Sequence, residues 1–167
     1  MVYLHGMGHF NPENVISNQF LEDLDIGTSN EWILERVGIA NRRTVLPLDY
    51  IRATKNADFH GAFEARQYTN AQMAAAAARQ ALQRASLGTA DIGMIIAGSS
   101  SPDNIAPAES SAVAAELGIE VPCLDMNSAC SSFGMQITFL CRMLPEALPP
   151  YVLVVDSETL TKSVNYA

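Results

Sequence analysis

Short apolar runs alternate along the chain with stripes of helical period, and that alternation predicts the elements. Val2 to Met7 is an apolar run closed by Asn11-Pro12, which cannot continue a ladder, so it reads as a first strand entering a loop. Ser17 or Asn18 can cap a helix bearing Phe20, Leu21 and Leu24 on one face. Thr28-Ser29-Asn30-Glu31 offers a second cap before Trp32, Ile33 and Val37, with Gly38 as the stop. From Thr44 to Arg66 the residues Pro47, Asp49, Lys55, Asn56, Asp58 and Gly61 interrupt every period, which predicts a long irregular excursion.

Thr69-Asn70 then caps a helix through Ser86, where Met73, Ala77, Ala81 and Leu82 hold a helical stripe and Gly88 is its C-terminal cap. Ile92 to Ala97 is an unbroken apolar run of strand length, the pattern of a strand covered on both faces. Pro107 opens a helix to Leu117 that Gly118 ends. Val121 to Met126 is a further strand, Ser131 to Leu144 a further helix, and Tyr151 to Val155 a strand following Pro149-Pro150. This rhythm predicts an α/β domain with a mostly parallel sheet covered by helices, and no internal repeat competes with it.

Composition narrows the function classes. A chain of 167 residues, 49% hydrophobic and 17% charged, has the length of one domain and the makeup of a packed one, which excludes disorder and fibrous repeats. A formal charge of -8 sets the average field against phosphate and anionic lipid. The densest basic pair is Arg42-Arg43, so neither nucleic acid nor a membrane is an expected partner. No apolar run approaches the roughly 20 residues of a membrane span, and no cationic leader opens the chain. Cys123, Cys130 and Cys141 are odd in number and lack metal-type spacing, which predicts a reduced, cytoplasmic protein without a metal site.

One segment carries chemistry. In Leu124-Asp125-Met126-Asn127-Ser128-Ala129-Cys130-Ser131-Ser132-Phe133-Gly134 an apolar strand ends in small residues, a cysteine sits at the turn, and an amphipathic helix starts at once. A helix N-terminus offers unpaired N–H groups and partial positive charge, which favour thiolate over thiol and can cradle an oxyanion. A buried, inert cysteine would occupy the same position for packing alone. Cys123, inside a strand, and Cys141, on a helix, read as core.

Cys130 within Asn-Ser-Ala-Cys-Ser-Ser-Phe resembles the nucleophile segment of the β-ketoacyl-acyl carrier protein synthase III family, condensing enzymes of the thiolase superfamily. The likeness extends to Thr28-Ser29-Asn30-Glu31-Trp32-Ile33 with Arg36, Gly38-Ile39 and Arg42-Arg43, and to Ile95-Ile96-Ala97-Gly98-Ser99-Ser100 with Pro107 and Leu117-Gly118. Val152-Leu153-Val154-Val155-Asp156-Ser157-Glu158 looks like the strand after the nucleophile helix. Together these cover nearly the whole chain.

The resemblance implies a thiolase-like α/β fold with a mostly parallel five-stranded sheet covered by helices, residues 1–167 being the first of two duplicated halves. It implies an acyltransferase in which Cys130 takes an acyl group from coenzyme A and passes it to a malonyl-type or other acceptor, in fatty acid or specialised metabolite synthesis. Coenzyme A thioester would be a substrate, and no tightly bound cofactor is implied. The family's activating histidine and asparagine lie in the second half, which this chain does not contain; His5, His9 and His60 match neither position. The second half is then expected as a continuation or partner chain, acyl carrier protein as a further partner, and the full protein as a homodimer.

By the same resemblance Trp32 would stack on the adenine of coenzyme A, with Arg36 a helical turn on to meet phosphate or ribose and Thr28 beside them. The alternatives are a half-buried helix anchor for Trp32, a solvated charge for Arg36 and a helix cap for Thr28. Ala106, before Pro107, would leave a wide acyl channel, and Glu109 would favour its helix N-terminus or approach the pocket across a dimer. The length of Thr44 to Arg66 hints at a specialised member. The rival reading is a non-catalytic half acting as a binding module for a paired catalytic chain.

Overall fold

The computed structural model describes residues 2–167, which divide into two compact units. The first comprises the N-terminal segment to Phe10 and Asn70–Glu158; the second comprises Asn11–Thr69 and Thr159–Ala167.

In the first unit, three parallel strands, β3 (Met94–Gly98), β4 (Cys123–Asp125) and β5 (Val152–Asp156), pair in the order β4-β3-β5. Ile95 stands opposite both Cys123 and Leu153. Because successive side chains alternate across a sheet, Ile95, Ala97, Leu153 and Val155 share one face. There they join Ala71, Ala74, Ala75, Ala78 and Leu82 of α5 (Asn70–Ala85) and Val113, Ala114 and Leu117 of α6 (Glu109–Leu117) in one core. Small alanines let α5 lie close on the strands. The opposite face is covered by α7 (Ser132–Arg142), which contacts β3 and β5. Helix α7 buries only Ser132, Gln136 and Leu140, a stripe of four-residue period.

Three expectations are corrected in this unit. Val2 to Met7 forms no strand. Side chains of α5 meet the backbone at its end and just beyond, with Arg84 Nη1 donating to the Met7 carbonyl at 2.8 Å and the His9 N–H donating to Gln80 Oε1 at 3.0 Å. Gly8 lets this segment run against the helix, since a Cβ there would lie 2.0 Å from the Ala77 carbonyl oxygen. Helix α5 is closed by Ser86 at φ 58°, with the Leu87 N–H on the Leu82 carbonyl, so Ser86 rather than Gly88 takes the left-handed position. Cys141 is exposed, because it falls off the buried stripe of α7.

The second unit holds an antiparallel pair, β1 (Asn14–Ser17) and β2 (Asn41–Thr44), with Asn14 opposite Thr44. Among the described residues the strands form a parallel three-stranded sheet and a separate two-stranded ladder, where one five-stranded sheet was expected; the α/β class stands. Helix α1 (Asn18–Asp23) is capped by Ser17, whose Oγ accepts from the Phe20 N–H. Helix α2 (Asn30–Val37) is capped by Ser29. The stretch read as irregular folds into two seven-residue helices, α3 (Leu48–Thr54) and α4 (Phe59–Ala65), the latter capped by Asp58 on the His60 and Gly61 N–H groups. Ile16, Phe20, Leu21, Leu24, Ile33, Leu46, Ile51, Ala62 and Tyr166 form the core. Asn56 Nδ2 fastens the C-terminal residues, donating at 2.8 Å to the Lys162 and Val164 carbonyls.

Candidate functional site

Strand β4 ends at Asp125, and Asn127–Ser128 lead through a single 3-10 turn, Ala129–Ser131, into α7. Cys130 is exposed in the middle of that turn. Gln136, fully buried on α7, donates through Nε2 to the Met126 carbonyl at 2.9 Å, and the Met126 N–H donates to the Ala97 carbonyl at 2.8 Å. The strand end is thereby held from both sides before the chain turns.

Side chains close the turn itself. The Ala129 N–H donates to Asn127 Oδ1 at 2.9 Å, and the Ser128 N–H to Ser132 Oγ at 2.8 Å. Ser131 Oγ donates to the Ser128 carbonyl at 2.8 Å and lies 3.0 Å from Ser128 Oγ. None of these bonds uses the Cys130 N–H or its thiol. An exposed thiol beside an N–H free of the turn's own bonds is an arrangement that can attack a carbonyl and hold the resulting oxyanion.

Cys123 is placed differently. Its thiol lies 3.2 Å from the Val121 carbonyl oxygen and is pushed up by burial first, with a Ser111 hydrogen bond pulling down and the Asp125 charge pushing up. The histidines stand apart from the turn's hydrogen bonds: His5 packs edge-on against Tyr151 at 5.2 Å, and His60 Nε2 lies 3.8 Å from Glu64 on an exposed helix face. Among the described residues no cluster of three or more His, Cys, Asp or Glu is suited to a metal ion, and no helix is long and apolar enough to cross a membrane.

Trp32, Arg36 and Thr28 lie in the second unit. Trp32 is 51% exposed on α2, and the Arg36 guanidinium carbon sits 5.6 Å from its ring centroid, so the helix brings this pair together one turn apart. Beside them, Glu31 has its carboxyl held below the usual range by its own backbone N–H and then by Asn30. Thr28 does not cap α2; Ser29 does, accepting from the Trp32 N–H at 3.2 Å. Thr28 Oγ1 is a buried oxygen left without a hydrogen-bond partner. Glu109 opens α6 and is 5% exposed.

The polar residues that shape the Cys130 turn, Asn127, Ser132 and Gln136, escape sequence reasoning as individuals. The signal available was only the run of small residues around the cysteine.

No family model matches the chain. It is 31% identical over 162 residues to a β-ketoacyl-[acyl-carrier-protein] synthase III of Clostridium botulinum, covering 96% of this chain and 43% of that protein. The 3-oxoacyl-[acyl-carrier-protein] synthase III of Aquifex aeolicus superposes with a TM-score of 0.77 at 29% identity, over 96% of this chain and 46% of the other. A Xanthomonas campestris OleA solved with bound lauric acid and lauroyl-CoA gives a TM-score of 0.71 at 25% identity, over 93% and 43%. The chain thus spans less than half the length of the curated relatives it matches. In sequence and in fold it is similar to the β-ketoacyl-[acyl-carrier-protein] synthase III family, over the N-terminal half of the members it matches.

Proposed function

We propose that this chain carries the acyl-accepting cysteine of a β-ketoacyl synthase III-like condensing enzyme that takes its acyl group from coenzyme A. The observation that carries the reading is Cys130, exposed at the strand-to-helix turn and left out of that turn's hydrogen bonds. Its thiolate attacks the thioester carbonyl carbon, and N–H groups at the turn meet the charge on the oxygen. The bond from carbon to the coenzyme A sulfur then breaks. Coenzyme A leaves as a thiol with the proton that Cys130 gave up, and the acyl group remains on Cys130.

In the second step a malonyl-type thioester, on acyl carrier protein, loses carbon dioxide and the resulting carbanion takes the acyl group from sulfur. The histidine and asparagine that assist this step come from a second half, present as a continuation or a partner chain. The apolar side of α7 that the first unit leaves uncovered, with Phe133 55% and Met135 48% exposed, supports such a cover. The complete enzyme is a cytoplasmic homodimer in this reading.

Coenzyme A is a substrate here, and no resident cofactor is needed. Trp32 supplies an exposed ring for the adenine, Arg36 a cation for phosphate, and Thr28 Oγ1 an unsatisfied hydroxyl.

Intact mass under denaturing conditions, after brief incubation with a mixture of acyl-CoAs, tests the reading. One acyl increment is expected on the wild type and none on Cys130→Ala. A wild type that takes no acyl group, or a Cys130→Ala variant that still does, overturns it.

A further inference from the structure

Ala129, immediately before Cys130, has φ 49°, the left-handed region that a Cβ disfavours. The other non-glycine residues with positive φ, Asp25, Lys55, Asn56 and Ser86, all follow the end of a helix, where that conformation is the ordinary way to stop. Ala129 instead leads into a helix. Something other than helix termination must hold it there.

Two side chains grip both polar groups of this residue. Asn127 Oδ1 accepts its N–H at 2.9 Å, and Ser132 Oγ donates to its carbonyl at 2.8 Å. The two grips are joined, since Ser132 Oγ lies 3.1 Å from Asn127 Oδ1 and also accepts the Ser128 N–H. A rotation of Ala129 toward negative φ would swing its carbonyl away from Ser132 Oγ while its N–H stayed with Asn127, so the two joined grips cannot both survive it. Ser132 is 5% exposed, while Cys130 is open to solvent. The serine therefore acts on the thiol only through the backbone.

We propose that Asn127 and Ser132 are positioning residues, a clamp that holds Ala129 in the left-handed conformation and thereby sets where the Cys130 thiol points. This rests on the reading of Cys130 as the acyl-accepting nucleophile. The chemistry requires such control, because misplacing a nucleophile by about 1 Å costs on the order of a hundredfold in rate.

The clamp is separable from general stability by second-site compensation, since glycine adopts positive φ without the Cβ penalty. Ser132→Ala, Ala129→Gly and the double variant are compared with the wild type for acyl loading of Cys130 from acyl-CoA. In Ser132→Ala the maximal loading rate is expected to fall roughly ten- to a hundredfold with the half-saturating acyl-CoA concentration unchanged. In the Ala129→Gly background the same Ser132→Ala change is expected to cost at least about threefold less, as the backbone no longer resists the conformation.

Wild-type loading in Ser132→Ala overturns the clamp. So does a loss that is equal in both backgrounds. If the wild type takes no acyl group the functional reading fails separately, and the four proteins are then compared by iodoacetamide alkylation of Cys130, located by peptide mapping. A rate in Ser132→Ala equal to that of the wild type overturns the clamp in that arm, and a changed rate restored toward wild type by Ala129→Gly supports it.

Discussion

Gln136 Nε2 donates to Asp156 Oδ1 at 2.9 Å, joining the buried side of α7 to the last residue of β5. The same nitrogen serves the Met126 carbonyl, so one amide spans the exit of β4, the helix after the turn and the end of β5. Gly98, the last residue of β3, makes that span possible. A Cβ on it would lie 2.3 Å from Asp156 Oδ1, 2.7 Å from Gln136 Nε2 and 2.9 Å from the Met126 carbonyl oxygen.

Gly98→Ala is accordingly expected to force these three groups apart, at a cost of about 1–3 kcal/mol by the usual range for overpacking. Urea unfolding checks the magnitude. A midpoint equal to that of the wild type would show that the neighbours can yield.

Asp156 is expected to give the first unit a pH dependence. Burial pushes its carboxyl up first, the Gln136 hydrogen bond pulls it down, and the Glu158 charge pushes it up again. With the folded value above the unfolded one, the native state holds the proton more tightly, so stability falls as pH rises from the unfolded value through the folded one. Asp156→Asn keeps an oxygen for Gln136 and removes the charge. Its urea midpoint is expected above that of the wild type at neutral pH, with the gap closing below about pH 3, where the carboxyl is protonated in both states. A variant less stable than the wild type at neutral pH would contradict this account.

The apolar runs of β3 and β5 and the stripes of α5 and α6 were legible because burial on a fixed face leaves a period. The excursion before α5 was not: α3 and α4 are two turns each, and a single buried Ile51 or Ala62 leaves no period to read. The same holds for β1 and β2, whose polar residues Asn14, Asn41 and Arg42 are in strands because they stand opposite Thr44, Ser17 and Ile16 in the ladder. Val2 to Met7 failed in the opposite sense, having the pattern of a strand while Arg84 meets the Met7 carbonyl and Gln80 the His9 N–H just beyond it. At the candidate site, the strand-turn-helix placing of Cys130 was readable. The left-handed Ala129 was not, since nothing about alanine announces positive φ.

Thiol accessibility separates the three cysteines. Cys130 and Cys141 are exposed, whereas Cys123 is half-buried and its thiol is pushed up by burial. Site-resolved alkylation near neutral pH is expected to be at least about tenfold slower at Cys123 than at the other two, because the thiolate is the reacting form. The difference is expected to vanish in denaturant. Labelling of Cys123 as fast as Cys141 in the folded chain would place it outside the core edge described.

Asp125 supplies the cap that α6 lacks in its own sequence. The residue before the helix is Ala108, which has no side-chain acceptor to offer, yet the first two N–H groups, of Glu109 and Ser110, each donate at 2.8 Å to one oxygen of Asp125 at the end of β4. A carboxylate at that place also meets the positive end of the helix dipole. Asp125→Ala is expected to cost about 1–2 kcal/mol, the upper part of the range for a lost cap, and Asp125→Asn less, because one acceptor oxygen survives. Urea unfolding gives the total. Amide hydrogen exchange localises it, with faster exchange at Glu109 and Ser110 in Asp125→Ala and the interior of α5 following only the global change. Since Asp125 lies at the strand end leading to Asn127, the same carboxylate ties the start of α6 to the approach of the Cys130 turn. Unchanged exchange at both amides would show that water serves those N–H groups as well as the carboxylate does.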